Sequence, residues 1–139
     1  MEEVTRFYGE SLVVLMADVL QVMVVDDSVL MRQIIKSILE RDAEVKVICT
    51  ARDGLDALAK LEQYQPDVIT LDLEMPRMNG LETLKKIMES RPYPVIIVSS
   101  WAIEGGEQTL RALDLGAVDF VTKPSSETPE DLWAIENQL

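Results

Sequence analysis

Five short runs rich in β-branched residues alternate with helical patterns along this 139-residue chain. The runs cover residues 22–27, 45–50, 67–72, 94–100 and 117–122. Such strict alternation favours a parallel sheet whose strands are joined by right-handed crossovers, with helices on both faces. We therefore predict a doubly wound α/β domain with five parallel strands.

The segments between the runs carry the apolar spacing and the end signals of helices. We predict helices at residues 28–39, from 53 to before Pro66, 81–90, up to Gly116 and from about Pro129. In the first of them, Ser28 is a suitable N-cap, and apolar residues recur at spacings of three and four from Leu30 to Leu39. With five strands we expect the flavodoxin-like strand order 2-1-3-4-5.

Length and charge narrow the class of protein. A chain of 139 residues suits one domain with its own core, and a net charge of -12 argues against binding nucleic acid or an anionic membrane. No apolar run approaches the eighteen or so residues that span a bilayer. We expect a cytoplasmic protein whose partners are proteins or cations.

The residue types that are scarce limit the available chemistry. The chain has no histidine, which removes Ser-His-Asp catalysis, Cys-His catalysis and His-ligated metal sites from what it can do alone. Its single cysteine, Cys49, lies in the apolar run 45–50, and we interpret it as a small core residue. Chemistry must therefore rest on carboxylates, hydroxyls and lysine.

Both ends of the chain look like additions to the α/β core. We predict an N-terminal extension of unassigned role at residues 1–19, the main domain at 20–125, and a final helix or the start of a linker at 126–139. Met16 would be an ordinary start shortly before the first strand, so the first fifteen residues are open to being an upstream start or a short helix.

Polar residues follow four of the five predicted strands. Asp26 and Asp27 come after the first strand, Asp72 after the third, Ser99 after the fourth and Lys123 after the fifth. Because ligands bind at the carboxyl ends of strands in open α/β sheets, we expect these side chains to converge. Three carboxylates in one place repel one another unless a divalent cation joins them. Hard oxygen ligands suit Mg²⁺, with Mn²⁺ or Ca²⁺ as alternatives.

Such a site suits phosphoryl transfer. Asp72 would be the nucleophile, and the Ser99 hydroxyl and Lys123 ammonium would donate hydrogen bonds to phosphoryl oxygens. Taken singly, each residue has a plainer interpretation: Asp26-Asp27 as part of a capping turn, Asp72 as a helix N-terminal carboxylate, Lys123 as a solvated charge. Their joint placement at the ends of four strands favours the functional interpretation.

Four ordered motifs resemble the receiver domains of two-component response regulators. They are VMVVDDS at 22–28, DVITLDLEMPRMNG at 67–80, VIIVSS at 95–100 and DFVTKP at 119–124. The resemblance covers roughly residues 20–125. It implies Asp26 and Asp27 as the acid pair for Mg²⁺, Asp72 as the phosphoacceptor, and the backbone carbonyl of Glu74 as a further metal ligand.

The same resemblance implies a switch. Ser99 would be the switch hydroxyl, Phe120 the switch aromatic and Lys123 the phosphoryl-binding lysine, and the bond from Lys123 to Pro124 is typically cis in the family. Phosphorylation would draw Ser99 toward the phosphoryl group, let Phe120 turn inward and change the face formed by helix four, strand five and helix five. The phosphoryl donor is implied to be a phosphohistidine on a sensor kinase.

Within that family, residues 71–88 and 98–126 most resemble the regulatory domains of chemotaxis protein-glutamate methylesterases. There a receiver is joined by a linker to a hydrolase domain that demethylates and deamidates chemoreceptors. Without histidine this chain cannot carry that catalytic triad, so it is not a methylesterase alone. We expect either a fragment of such an enzyme, partnered by its output domain or a chemoreceptor, or a stand-alone regulator.

Two other functions compete with these. A haloacid-dehalogenase-type phosphatase also combines a nucleophilic Asp, a hydroxyl, a lysine and an acidic Mg²⁺ site. It needs the nucleophile on the first strand with a second Asp two residues later, whereas Asp72 follows the third strand. An interaction module that has lost phosphorylation is disfavoured because the acid, hydroxyl and lysine set is intact.

Overall fold

The computed structural model describes residues 19–100, 102 and 105–123. The elements, in chain order, are β1 (Leu20–Val25), α1 (Val29–Leu39), β2 (Val45–Ala51), α2 (Gly54–Leu61), β3 (Val68–Leu71), α3 (Gly80–Ser90), β4 (Val95–Ser99), α4 (Glu107–Leu115) and β5 (Asp119–Thr122). All neighbouring strands pair in parallel, in the order β2-β1-β3-β4-β5. The predicted doubly wound fold and strand order are confirmed.

Side-chain caps explain where three of the helices begin. The Ser28 side chain accepts a hydrogen bond from the Met31 amide, and Asp53 and Asn79 do the same at the starts of α2 and α3. Each cap satisfies an amide that the helix leaves unpaired at its N-terminus. Helix α4 begins after Gly106 without a side-chain cap and ends at Leu115, where the C-cap Gly116 has a φ of 119° that suits glycine.

Apolar side chains fill both faces of the sheet. Strand residues such as Met23, Ile69 and Ile97 pack with α2 and α3 on one face. On the other face Val22 and Val24 join the buried side of α1. Full burial of one large apolar side chain contributes about 1.5–3 kcal/mol, so the two layers fix the sheet between its helices.

Strand ends differ from the sequence pattern at β1. The first strand was expected within the run 22–27, with Asp26 and Asp27 after it; β1 does end at Val25, but it begins earlier, at Leu20. The exposed start was missed because Gln21 interrupts the continuous apolar run, although the Leu20 amide donates to the Glu44 carbonyl at 2.7 Å. Asp26 therefore lies just beyond the strand.

Some side chains expected on the inward side are less buried than their pattern indicates. Leu30, in the first turn of α1, is 40% exposed, and the buried face of the helix begins at Met31. Cys49 is only partly buried, packed against the core that faces α2. The expected helix near Pro129, the first eighteen residues of the extension predicted at 1–19, and the bond from Lys123 to Pro124 lie outside the described residues.

None of the helices in the described ranges has the length and apolar character needed to span a bilayer.

Candidate functional site

Three carboxylates meet at the carboxyl edge of the sheet. Asp26, Asp27 and Asp72 each place one oxygen so that all three atoms lie within 4.8 Å of one another. The strands bring this about, because β1 and β3 are neighbours and Val25 pairs with Leu71 immediately before the acidic residues. Asp26 and Asp72 are buried, whereas Asp27 is exposed. The group is thus partly closed and open to solvent on one side.

Lys123 reaches into this acidic group from the end of β5. Its Nζ lies 2.5 Å from Oδ2 of Asp26 and 3.3 Å from Oδ2 of Asp72, and 12% of the side chain is exposed. The Lys123 amide also donates to the Ser99 carbonyl at 3.1 Å, which ties the residue to the end of β4. Burial lowers the pKa of Lys123, but the two carboxylates outweigh it and the net pKa is raised. The ammonium therefore stays charged.

Burial governs the titration of the two inner carboxylates. Desolvation, together with the Asp72 charge, raises the pKa of Asp26 to about 6 against the opposing pull of the Lys123 ammonium. Desolvation likewise raises the pKa of Asp72. Because burial disfavours the charged form of both carboxylates, a positive charge placed beside them is favourable.

The Asp72 carboxylate is oriented by two donors besides Lys123. The Glu74 amide donates to Asp72 Oδ1 at 3.1 Å, and the buried Ser99 hydroxyl donates to the same carboxylate. Ser99 ends β4, the strand beside β3. A hydroxyl, an ammonium and a backbone amide thus surround the predicted nucleophile.

The donor chemistry of this group fits Mg²⁺, which prefers carboxylate and carbonyl oxygens and retains several waters. Asp26, Asp27 and Asp72 supply such oxygens. The side chain of Glu74 is exposed and, among the described residues, does not belong to the acidic group. Its backbone carbonyl as a metal ligand stays a prediction.

Phe120 lies in β5, two strands away from β3, and is partly buried against the core. Its role as the switch aromatic stays a prediction, as does that of Ser99.

Sequence reasoning missed two arginines near this edge. The Arg32 guanidinium donates to the Asp26 carbonyl at 2.7 Å from the first turns of α1. Arg77, in the loop after β3, lies 3.5 Å from the buried carboxylate of Asp53. Neither contact follows from spacing, because each depends on how a long side chain crosses between elements.

Comparison with known proteins identifies the class. The profile of the response regulator receiver domain matches residues 22–134. The chain therefore belongs to the receiver domain family, as its motifs predicted. Membership removes the haloacid-dehalogenase alternative, in agreement with the position of Asp72 after β3.

The individual relatives point to one branch of that family. The chain is 52% identical over 120 residues to protein-glutamate methylesterase/protein-glutamine glutaminase 2 of Nitratidesulfovibrio vulgaris, covering 86% of this chain and 33% of that protein. It is similar to the crystal structure of the response regulator domain of Thermotoga maritima CheB, with a TM-score of 0.82, 45% identity, and 86% and 90% of the two chains covered. These matches confirm the narrower resemblance.

A more distant structure shares the fold. The phosphorylated cyanobacterial phytochrome response regulator RcpA matches with a TM-score of 0.71 and 27% identity, covering 86% of this chain and 90% of its own. The present chain spans about a third of the length of the curated methylesterases it matches.

Proposed function

We propose that this receiver domain is phosphorylated on Asp72 with Mg²⁺ and that it controls a chemotaxis receptor methylesterase and deamidase. The observation that carries the proposal is the contact of Lys123 with both Asp26 and Asp72 inside a group of three carboxylates. A purely structural ion pair needs one carboxylate, and a third acid, Asp27, would only add repulsion. A site for a cation and a phosphoryl group accounts for the lysine and all three carboxylates.

The reaction is the attack of an Asp72 carboxylate oxygen on the phosphorus of the donor. A new phosphorus–oxygen bond forms as the bond from phosphorus to the donor nitrogen breaks. The donor ring keeps that electron pair and, being protonated on its other nitrogen, leaves as a neutral imidazole. Asp26, Asp27 and Asp72 would hold Mg²⁺, which would supply positive charge to offset the carboxylates and the phosphoryl oxygens. The Lys123 ammonium donates to another phosphoryl oxygen, and the Ser99 hydroxyl moves its hydrogen bond from Asp72 to the phosphoryl group.

The donor belongs to another protein. Because the chain has no histidine, a phosphohistidine must come from a sensor kinase, and this exchange takes place in the cytoplasm. A net charge of -12 supports protein and cation partners over nucleic acid.

The output follows from a two-state equilibrium that contacts to the phosphoryl group shift. Ser99 and Phe120 report the phosphorylated state to the face that includes α4 and β5. We place the receiver at residues 20–125 and the final helix or linker start at 126–139, and we leave the extension at 1–19 without a role. The similarity to methylesterases supports an attached hydrolase domain or a chemoreceptor as the partner.

Intact mass measurement tests this proposal. The chain is incubated with Mg²⁺ and a small-molecule phosphoryl donor, beside Asp72→Asn and a sample in EDTA. We expect one phosphate adduct in the wild type, lost on treatment with hydroxylamine, and none in the variant or without Mg²⁺. No adduct on the wild type, with Mg²⁺ binding intact, would favour an interaction module that no longer accepts phosphate from small donors.

A further inference from the structure

The loop that follows the phosphoacceptor contains a strained turn. Arg77 has a φ of +67° and is the single non-glycine residue with positive φ in the described part of the chain. The Met78 amide donates to the Pro76 carbonyl at 2.7 Å, which closes a three-residue γ-turn around Arg77. Residues other than glycine rarely adopt this backbone conformation, so the surrounding structure must hold it.

The Arg77 side chain provides one such restraint. Its Nε lies 3.5 Å from Oδ2 of Asp53, whose side chain is only 3% exposed. The other oxygen of Asp53 accepts the Asp56 amide at 2.8 Å and caps α2. Asp53 thus uses one oxygen to begin a helix and the other to face the arginine, and a buried carboxylate is favourable only with such partners.

The start of α2 also packs directly on the loop and on α3. A Cβ placed on Gly54 would lie 2.1 Å from the Thr83 hydroxyl and 3.2 Å from the Met78 side chain. Met78 is the last residue of the strained turn. The beginning of α2, the turn and the beginning of α3 therefore form one unit, and the pair of Asp53 and Arg77 spans it.

The other end of the same loop touches the phosphoacceptor. The Glu74 amide donates to Asp72 Oδ1, and the Gly80 amide donates to the Leu73 carbonyl at 2.9 Å. A shift of the turn at Arg77 would be passed to Glu74 through the two intervening residues, since both belong to one short loop.

We propose that Arg77 is a positioning residue: its ion pair with Asp53 holds the γ-turn and thereby the loop that orients the Asp72 carboxylate. This inference rests on the proposed phosphorylation of Asp72. Arg77 acts through the loop and touches neither the phosphoryl group nor the metal. Because 59% of the Arg77 side chain is exposed, solvent screens the pair and its effect is modest.

A double-mutant cycle on the whole chain tests the proposal. Initial phosphorylation rates and Mg²⁺ dissociation constants are measured for wild type, Arg77→Ala, Asp53→Asn and the double variant, with Arg111→Ala as the matched loss of an exposed arginine. Asparagine at 53 keeps the helix cap. Each single variant should be about threefold slower, and the double variant about threefold rather than about ninefold slower. Unchanged rates, or losses that multiply, would overturn the proposal.

Arg77→Gly separates positioning from stability. Glycine relieves the strain at positive φ, so this variant should unfold at higher urea than Arg77→Ala yet remain as slow in phosphorylation, because the ion pair is still missing. Recovery of the rate together with stability would show a purely structural role. If the wild type accepts no phosphate, the proposed function fails, and the Mg²⁺ dissociation constants then test the role of Arg77. About threefold weaker Mg²⁺ binding in both single variants supports that role, and binding equal to wild type contradicts it.

Discussion

The two edges of the same sheet treat carboxylates in opposite ways. At the amino edge, Asp67 accepts the Gln21 amide at 2.8 Å and Asp42 accepts the Glu44 amide at 2.9 Å, both in exposed positions. At the carboxyl edge, Asp26 and Asp72 are buried and share the ammonium of Lys123, which lies 97 positions from Asp26 in the chain.

This difference in burial distinguishes carboxylates with a local structural role from those of a candidate binding or reactive site. An exposed carboxylate bonded to one amide keeps its water and changes the free energy of unfolding little. Buried like charges are costly, and a fold retains them where they bind or react. Substitutions at the carboxyl edge should therefore change the phosphorylation rate and the affinity for Mg²⁺. Substitutions at the amino edge should change neither.

The largest expected effect is that of Lys123→Met. Loss of an ammonium aimed at the phosphoryl oxygens should slow phosphorylation by on the order of 100-fold. The same change should strengthen Mg²⁺ binding, because the ammonium that competes for Asp26 and Asp72 is gone. Initial rates from intact mass and Mg²⁺ titration measure the two effects.

Lys46→Met is the matched control, since Lys46 is exposed near the amino end of β2. It should leave both quantities unchanged. Weaker Mg²⁺ binding in Lys123→Met would mean that the lysine supports the metal site instead of competing with it.

A smaller effect is expected from a pair of glycines, one at each edge. A Cβ on Gly80 would lie 2.3 Å from the Asp72 carbonyl oxygen, so Gly80→Ala should lower the free energy of unfolding by about 1–3 kcal/mol. Gly116→Ala at the amino edge should lower it by about 1–2 kcal/mol, because φ there is 119°.

Phosphorylation rates distinguish these two variants although both lose stability. Gly80→Ala displaces the backbone of Asp72 and should slow the reaction, whereas Gly116→Ala should react at the wild-type rate. Equal rates under conditions where both variants are folded would show that the Asp72 backbone tolerates displacement.

The smallest effect concerns pH and is measured without Mg²⁺. The pKa of Asp26 is raised to about 6 in the folded state, so the folded chain binds its proton first as pH falls. Asp26 therefore reduces stability at neutral pH, and this loss is recovered as pH falls from about 6 toward about 4. Asp26→Asn should be about 1–3 kcal/mol more stable than wild type at pH 7.5, and the difference should shrink below about pH 6.

Urea unfolding between pH 4 and 8 measures this difference, with Asp67→Asn as the control from the amino edge. The control should stay close to wild type throughout. A destabilised Asp26→Asn at pH 7.5 would mean that the ion pair with Lys123 outweighs the burial of Asp26.

Most of the fold followed from sequence because each strand and helix carries a local signal. The apolar runs located all five strands, and Ser28, Asp53 and Asn79 stand where helices begin. The start of β1 was missed because the strand is exposed there and Gln21 interrupts its apolar run. The start of α4 was not predicted because Gly106 makes no side-chain cap.

The clustering of the candidate site residues was predictable from sequence, but the contacts that support them were not. Residues that follow strands, such as Asp26 and Asp72, could be brought together from strand order alone. The reach of Arg32 to a carbonyl and of Arg77 to Asp53 could not, because side-chain direction across a loop depends on packing that no spacing encodes. The residues of the candidate site could thus be identified from their positions after the strands, whereas the side chains that hold them in place depend on tertiary contacts.

Mapping the modified residue tests the central claim most directly. After phosphorylation with Mg²⁺, borohydride reduces an aspartyl phosphate to homoserine, and peptide sequencing by mass spectrometry locates it. We predict conversion at residue 72 in the wild type and at no other aspartate, including its neighbours in the site at 26 and 27. Conversion at another aspartate, with residue 72 unmodified, would contradict the assignment of Asp72 as the phosphoacceptor.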